Sequence, residues 1–175
     1  MAELAIEKHS PSPLELIQET LLLLNGDKVR VDESDFAFLN QWTWGCHTTL
    51  DGLKYASRRE RRENGKSRRV YLHRLLMGLE PGDKREVDHV NHNTLDNRRL
   101  NLRVVTGAQN RYNRRSMGKN KSGFKGVHKN HNRWAAEIRI NGKAKFLGNF
   151  VNPEDAHRVY REAVILHHGE YACLE

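Results

Sequence analysis

The stretch from Val87 to Arg115, VDHVNHNTLDNRRLNLRVVTGAQNRYNRR, limits what this chain can become more than any other. It sets an adjacent Asp88-His89 pair among amides and six arginines. Asp88 offers a hard oxygen ligand of the kind Mg²⁺ or Mn²⁺ prefers. His89 is a side chain whose ordinary pKa, about 6.5, lets it take up a proton near neutral pH. Asn101 follows His89 by 12 positions, and Asn110 follows Asn101 by 9. The polar run Asn91 to Asn97 reads as a loop, and Asn101 to Val105 alternates as a short strand. Thr106 is a suitable N-cap for a helix running to about Arg115. The pattern is therefore strand, loop, strand, helix. Asp88 and His89 sit at one end of the hairpin, and Asn110 lies one turn into the helix on the face that turns back toward them. An isolated Asp-His pair is an ordinary surface feature. Two asparagines at these spacings, in cationic surroundings, make it a candidate site.

Asp88-His89, Asn101-Leu102-Arg103 and Thr106 through Asn110 resemble the ββα-metal core of HNH endonucleases, most closely the phage and intron-encoded branch in which the last ligand is Asn. The resemblance implies that Asp88 and Asn110 bind one divalent cation, Mg²⁺ or Mn²⁺. It further implies that His89 is the general base and that Asn101 holds the loop, and through it His89, in position. This chain has His92 where related sequences often carry Gly, and Val104 where Trp is common.

Charge extends the argument beyond the motif. The chain carries a net +8, divided unevenly: residues 1–57 sum to −5 and residues 58–175 to +13. The basic surface thus belongs to the core and to the residues after it, as in a nucleic-acid binder. Hydrophobic content of 37% and a mean hydropathy of −0.81 favour several small cores over one large one. Cys46 and Cys173 exclude a four-cysteine zinc site and a disulfide framework, and fit a reducing compartment. The run Leu21 to Leu24 is too short to span a bilayer, and the acidic, mixed first residues lack a signal-peptide pattern.

Ahead of the core, residues 1–13 read as an irregular lead. Thr20 to Leu24 and Lys28 to Val31 read as strands about Asn25-Gly26. Asp32 reads as the cap of a short helix, Glu33 to Asn40, burying Phe36 and Leu39. Trp42, Trp44 and Tyr55 anchor further strands near Thr43–His47 and Lys54–Arg58, as core aromatics. Arg58 to Arg69 is a second hairpin, flanked by arginines suited to phosphate. His73 in the next segment reads as structural or phosphate-facing.

Beyond a basic linker, Ser116 to Ser122, the pattern changes. Gly123 to His128 is strand-like, and Asn130-His131-Asn132 turns the chain. Arg133 to Ile140 alternates, with Arg133, Ala135, Glu137 and Arg139 on one face and Trp134, Ala136, Ile138 and Ile140 on the other. Asn141-Gly142 is a type I′ signal leading to Lys143–Gly148, with Phe146 opposite Glu137. Asn152, Pro153 and Glu154-Asp155 open a helix whose stripe is Ala156, Val159, Tyr160, Ala163 and Ile165, ended by Gly169. The apolar sheet face covers that stripe, leaving the arginine face open to a major groove. Gly126-Val127, Trp134 through Arg139, Leu147 through Phe150 and Glu154-Asp155-Ala156 resemble the ethylene-response-factor (APETALA-two) DNA-binding domain. That family reads DNA with its sheet, which implies contacts from Lys125, His128, Glu137, Arg139 and Phe146, and Arg133 on the same open face is expected to join them. His128 and Ala144 stand where that family usually has arginine.

The expected fold is α+β. It comprises a strand-rich region over 1–69, a ββα-metal core over 70–115, a linker over 116–122 and a three-stranded antiparallel sheet packed on one helix over 123–175. The expected function is metal-dependent hydrolysis of double-stranded DNA by a homing-type enzyme, with Arg103, Arg111, Arg114 and Arg115 holding flanking phosphates. No small-molecule cofactor or membrane partner is expected. The chain is expected to be monomeric and cytoplasmic, phage-encoded and acting in a bacterial host. An inactive DNA-binding regulator and an RNA- or structure-directed nuclease are the competing readings.

Overall fold

The structure is a computed structural model that describes residues 18–114 and 120–174. Arg115 and the first part of the linker, residues 116–119, lie outside the described residues, as does the N-terminal lead. The described chain forms two compact units, one up to Glu80 together with His89–Arg103, the other Pro81–Asp88 with Val104 onward. These groupings divide the chain differently from its motif boundaries.

In the first unit, Gln18–Leu22 (β1) and Lys28–Asp32 (β2) pair antiparallel about Asn25-Gly26, with Gln18 opposite Asp32 and Leu22 opposite Lys28. Alternation buries Leu21, Leu23, Val29 and Val31. Asp32 precedes helix Glu33–Leu39 (α1) with extended backbone, yet its side chain makes no capping bond. Its Oδ2 instead accepts the backbone N–H of Arg99 at 2.7 Å. Leu39 is buried as expected, but Phe36 is only half-buried, and the acidic Asp35 takes the second inward position. Gly45–Thr48 (β3), Lys54–Arg61 (β4) and Ser67–Tyr71 (β5) form a three-stranded antiparallel sheet, followed by Leu72–Leu76 (α2). Trp44 is buried, and its indole N–H donates to the Leu39 carbonyl at 2.9 Å. Arg58 lies over the Trp42 ring, 4.6 Å from its centroid, and pairs with Glu60. That arginine serves packing, while Arg59, Arg61, Arg62 and Arg69 remain exposed.

Glu86–His89 (β6) and Leu102–Val105 (β7) form a two-stranded sheet. Asn101, expected to begin the second strand, instead ends a single 3₁₀ turn, Arg99–Asn101.

The second unit holds Gly107–Tyr112 (α3), Val127–Asn130 (β8), Arg133–Ile140 (β9), Lys143–Phe150 (β10) and Pro153–His168 (α4). Thr106 caps α3 with a reciprocal box, its hydroxyl accepting from the Gln109 N–H while the Gln109 side chain accepts from the Thr106 N–H. The sheet has β9 in the middle, and Phe146 stands opposite Glu137. A register shift follows Phe146. The buried row of α4 is Ala156, Tyr160, Val164 and His168, a strict four-residue repeat whose first three members pack with Val127, Ala136 and Ile138. Ile165, assigned to that stripe from sequence, is 57% exposed because the fourth turn presents Val164 to the sheet instead. The strand expected from Gly123 begins only at Val127. Asn120 and Ser122, the end of the expected linker, form an ordered turn. The Asn120 amide donates to the carbonyls of Phe124 and Val127 at 2.6 and 2.7 Å, and the Ser122 hydroxyl donates to both as well.

Gly126 has φ +74, and a Cβ there would fall 2.0 Å from the Tyr160 ring. Gly126→Ala should therefore destabilise the second unit by about 2–4 kcal/mol, combining overpacking with left-handed strain. Gly142→Ala, with φ +80 and open space around it, should cost only about 1 kcal/mol. Urea unfolding of both variants checks the ranking.

Candidate active site

Within the first unit, the loop after His89 is a polar segment that folds inward. Asp96 and Asn97 are 0% and 1% exposed. Buried polar groups of this kind persist only when they are hydrogen-bonded. Asn101 satisfies much of the loop backbone: its Oδ1 accepts the Asn91 N–H at 2.9 Å and its Nδ2 donates to the Asp96 carbonyl at 2.7 Å. The Asn101 carbonyl accepts the Val90 N–H at 2.9 Å. Asp96 takes a bidentate pair from Arg98 at 2.8 and 2.7 Å and the Asn91 amide at 2.9 Å. The Arg98 guanidinium holds the Asp96 carboxyl below the usual carboxylate range. Strand β2 borders the loop: Arg30 N–H bonds the Leu95 carbonyl at 2.9 Å, and Asn97 N–H bonds the Arg30 carbonyl at 2.8 Å. Arg99 clamps Asp35 with two bonds at 2.8 and 2.7 Å. Two of the six arginines of the motif are thus internal ties. His92 has φ +63, so the position related sequences give to Gly does demand left-handed backbone.

His89 is 5% exposed, and its Nε2 lies 3.3 Å from Asn97 Oδ1. The Asn97 amide donates its Nδ2–H to the Thr94 carbonyl at 3.3 Å, which turns Oδ1 toward the imidazole. An amide oxygen only accepts, so the neutral ring carries its proton on Nε2 and its lone pair on Nδ1. Tyr55 and His73 pack against the ring, with centroids 6.2 and 5.3 Å away. His73 is itself buried, which removes the phosphate-facing reading and leaves the structural one. Burial, with His89 beside it, pushes its pKa down to about 3.

Within the second unit, Glu86 and Asp88 share one face of β6 by strand alternation, while Asn110 and Asn113 share one face of the helical turn by their i, i+3 spacing. Two cross-links result. The Asn113 amide donates to Asp88 Oδ1 at 3.0 Å, and the Asn110 amide donates to Glu86. Asp88 and Asn113 are buried, at 6% and 5% exposure. The absence of a side chain at Gly107 gives the Glu86 carboxylate room, since a Cβ there would lie 3.0 Å from its Oε1. Asp88, assigned with Asn110 from sequence, therefore meets Asn113 directly, and Asn110 meets Glu86. Asn113, Glu86 and Asn97 were not singled out by the motif. The i, i+3 and i, i+2 spacings could have found the first two, whereas nothing local marks Asn97.

The remaining sequence-assigned residues fall in three places. Arg103 is half-buried on β7, while Arg111 and Arg114 are exposed in and after α3. His128, Arg133, Arg139 and Phe146 are exposed, with Glu137 half-buried among them on the open sheet face. Lys125 stands apart: its ammonium donates to the carbonyls of Tyr112 and Arg114, which gives it a helix-capping use that the sequence did not indicate. Arg111 and Arg139 line one cavity of about 140 Å³ with Tyr112 and His168.

His89, oriented by Asn97, follows in the chain directly after Asp88, whose carboxylate accepts from the Asn113 amide. Residues 70–112 match the family described as HNH endonuclease. An uncharacterized HNH endonuclease of Acanthamoeba polyphaga mimivirus is 32% identical over 110 residues, which cover 60% of this chain and 57% of that protein. The match therefore spans little more than half of the relative's length. No solved structure matches. Over these residues the chain is similar to HNH endonucleases, and the similarity is to a nuclease family. Among the described residues, no helix is long and apolar enough to cross a membrane.

Because native His73 stays neutral to about pH 3 while an unfolded histidine protonates near 6.5, its contribution to stability is lost as pH falls below 6.5. Between pH 7 and 5 this amounts to about 2 kcal/mol. Urea unfolding of the wild type should show that loss, and His73→Phe should lack it. Equal losses in both proteins would contradict the assignment.

Proposed function

We propose that this chain is a divalent-metal-dependent endonuclease that hydrolyses phosphodiester bonds of double-stranded DNA, a homing-type enzyme with a C-terminal sheet as reader. The observation that carries the reading is the pairing of the buried Asp88 carboxylate with a helix amide, one residue before a histidine held by Asn97. The family match over 70–112 supports it.

The donor set at Asp88, Asn110 and Asn113 is hard oxygen throughout, which fits Mg²⁺ or Mn²⁺ and disfavours soft metals. Those three residues would hold one ion, with Glu86 steadying the Asn110 amide. When bound, the ion stabilises charge on the phosphoryl oxygens and on the departing 3′ oxygen. The chain's own part centres on His89. Its Nδ1 lone pair accepts the proton of the attacking water, while Nε2–H stays anchored on Asn97 and keeps the ring oriented. Asn101 acts one step back, by holding the loop that carries Asn97. Tyr55 and His73 wall the imidazole. A hydrolysis of this kind leaves a 5′-phosphate and a 3′-hydroxyl.

Arg103, Arg111 and Arg114 supply cationic contacts beside the core. On the sheet, Arg133, Arg139, His128, Glu137 and Phe146 form a surface of the shape and charge that a major groove accepts. Lys125 is left out of the DNA-facing set, since its ammonium is engaged by backbone carbonyls. A regulator that binds DNA without cutting is the second reading, favoured by the same open face. The position of His89 directly after the buried Asp88 carboxylate, within the stretch that matches the nuclease family, favours the enzyme. A phage origin and action in a host cytoplasm belong to this reading as well.

Supercoiled plasmid with Mg²⁺ should be nicked or linearised by the wild type and spared in EDTA. His89→Ala should bind DNA but cut about 10²–10⁴-fold more slowly. Cutting by His89→Ala at the wild-type rate would remove the base assignment. DNA affinity should also fall steeply between 50 and 200 mM salt, by about 10³ or more if six phosphates are contacted. Anisotropy measured across that range would detect a flat response, which would argue against phosphate anchoring.

A further inference from the structure

Helix α3 is only six residues long. Isolated helices shorter than about 12 residues are marginal in water, so the amides at Asn110 and Asn113 need an outside support. Three contacts from the C-terminal sheet-and-helix module supply it. The Tyr112 ring stacks face to face on His168, with centroids 3.6 Å apart and planes 6° from parallel. The Tyr112 hydroxyl accepts the Asn141 backbone N–H at 3.1 Å, at the tip of the β9–β10 turn. Lys125 donates to the Tyr112 carbonyl at 2.8 Å and to that of Arg114. His168 is fixed in turn, with Nε2 donating to the Arg139 carbonyl at 2.8 Å. Tyr112 lies directly before Asn113 and two residues after Asn110.

We infer that Tyr112, His168 and Lys125 are positioning residues for the cation-binding amides of α3, so that the C-terminal module completes the nuclease core besides presenting a surface to DNA. This rests on the nuclease reading above. Its physical content is that a stacked pair and a lysine cap fix the rotation and the C-terminal end of α3. Those two settings decide where the Asn110 and Asn113 side chains project. A module acting only as a tethered reader would have no contact with the ligand helix, and its loss would alter DNA affinity alone. Here the contacts lie on the helix itself, on the turn that carries both amides.

The test uses the full-length chain. Mn²⁺ binding is titrated by EPR, DNA binding by anisotropy in EDTA, and plasmid cleavage is resolved into kcat and KM. Hydrogen exchange reports on residues 107–113. Tyr112→Ala and His168→Ala should weaken Mn²⁺ binding about 10–100-fold, the usual effect of losing an outer support of a metal site. The same variants should lower kcat, speed exchange over 107–113, and leave KM and metal-free DNA affinity unchanged. Tyr112→Phe, which keeps the stack, should retain most Mn²⁺ affinity. Should the alanine variants fail to fold, Lys125→Met removes the ammonium while keeping the apolar stem, and should show the same selective loss of Mn²⁺ affinity. Variants that bind Mn²⁺ like an active wild type overturn the inference. Equal losses of Mn²⁺ and DNA binding overturn it too. A wild type that neither binds Mn²⁺ nor cuts DNA overturns the nuclease reading itself, which separates the two failures.

Discussion

The first unit depends on one requirement: a loop of polar residues folded inward must satisfy every polar group it buries. Leaving a buried donor or acceptor without a partner costs about 1–3 kcal/mol each. Breaking a buried ion pair costs about 3–5 kcal/mol. Asn101 meets the requirement for the backbone of the loop, and Arg98 meets it for Asp96. With those groups satisfied, Asn97 is fixed, and the orientation of the His89 ring follows from it. The N-terminal hairpin has a clear place in this scheme. Backbone bonds from Arg30 to Leu95 and Asn97 make β2 a border for the loop, so residues far from the motif determine whether it can close.

The second unit obeys a different logic, that of periodicity. A strand presents every second residue to one face, and a helix presents residues three or four apart. Glu86 and Asp88 on one element, and Asn110 and Asn113 on the other, then meet as two carboxylate–amide pairs. The same rule shapes the C-terminal module. Ala156, Tyr160, Val164 and His168 form the inward row of α4, and the alternation of β9 leaves arginines on the opposite side. Tyr160 can pack where it does because Gly126 has no side chain. The buried Tyr160 hydroxyl has its pKa pushed up to about 12 by desolvation, in keeping with a structural role.

Much of this was legible from residues alone wherever local rules act. The turn at Asn25-Gly26, the Thr106 cap, the span of β9 and the opposition of Phe146 and Glu137 come from turn chemistry, capping and alternation. Residues whose role is set by a distant partner were not legible in this way. Asp32 has the composition of a helix cap, but its carboxylate is taken by a backbone N–H 67 positions away. Lys125 has the look of a phosphate contact in a basic chain, yet it closes a helix end. Arg98 and Arg99 add to the basic character of the motif while neutralising Asp96 and Asp35. A charge count cannot distinguish a cation facing solvent from one facing a buried carboxylate.

The chain by itself determined its charge asymmetry and the turns, caps and alternation that set most of its helices and strands. Those properties are carried by neighbours within a few residues, where backbone geometry leaves little choice. Only the tertiary structure decided which amide meets Asp88, which side chain positions the His89 ring, and which basic side chains are consumed internally. Each of those is a competition between partners distant in sequence. Packing and the satisfaction of buried polar groups settle it, and neither has a local signature.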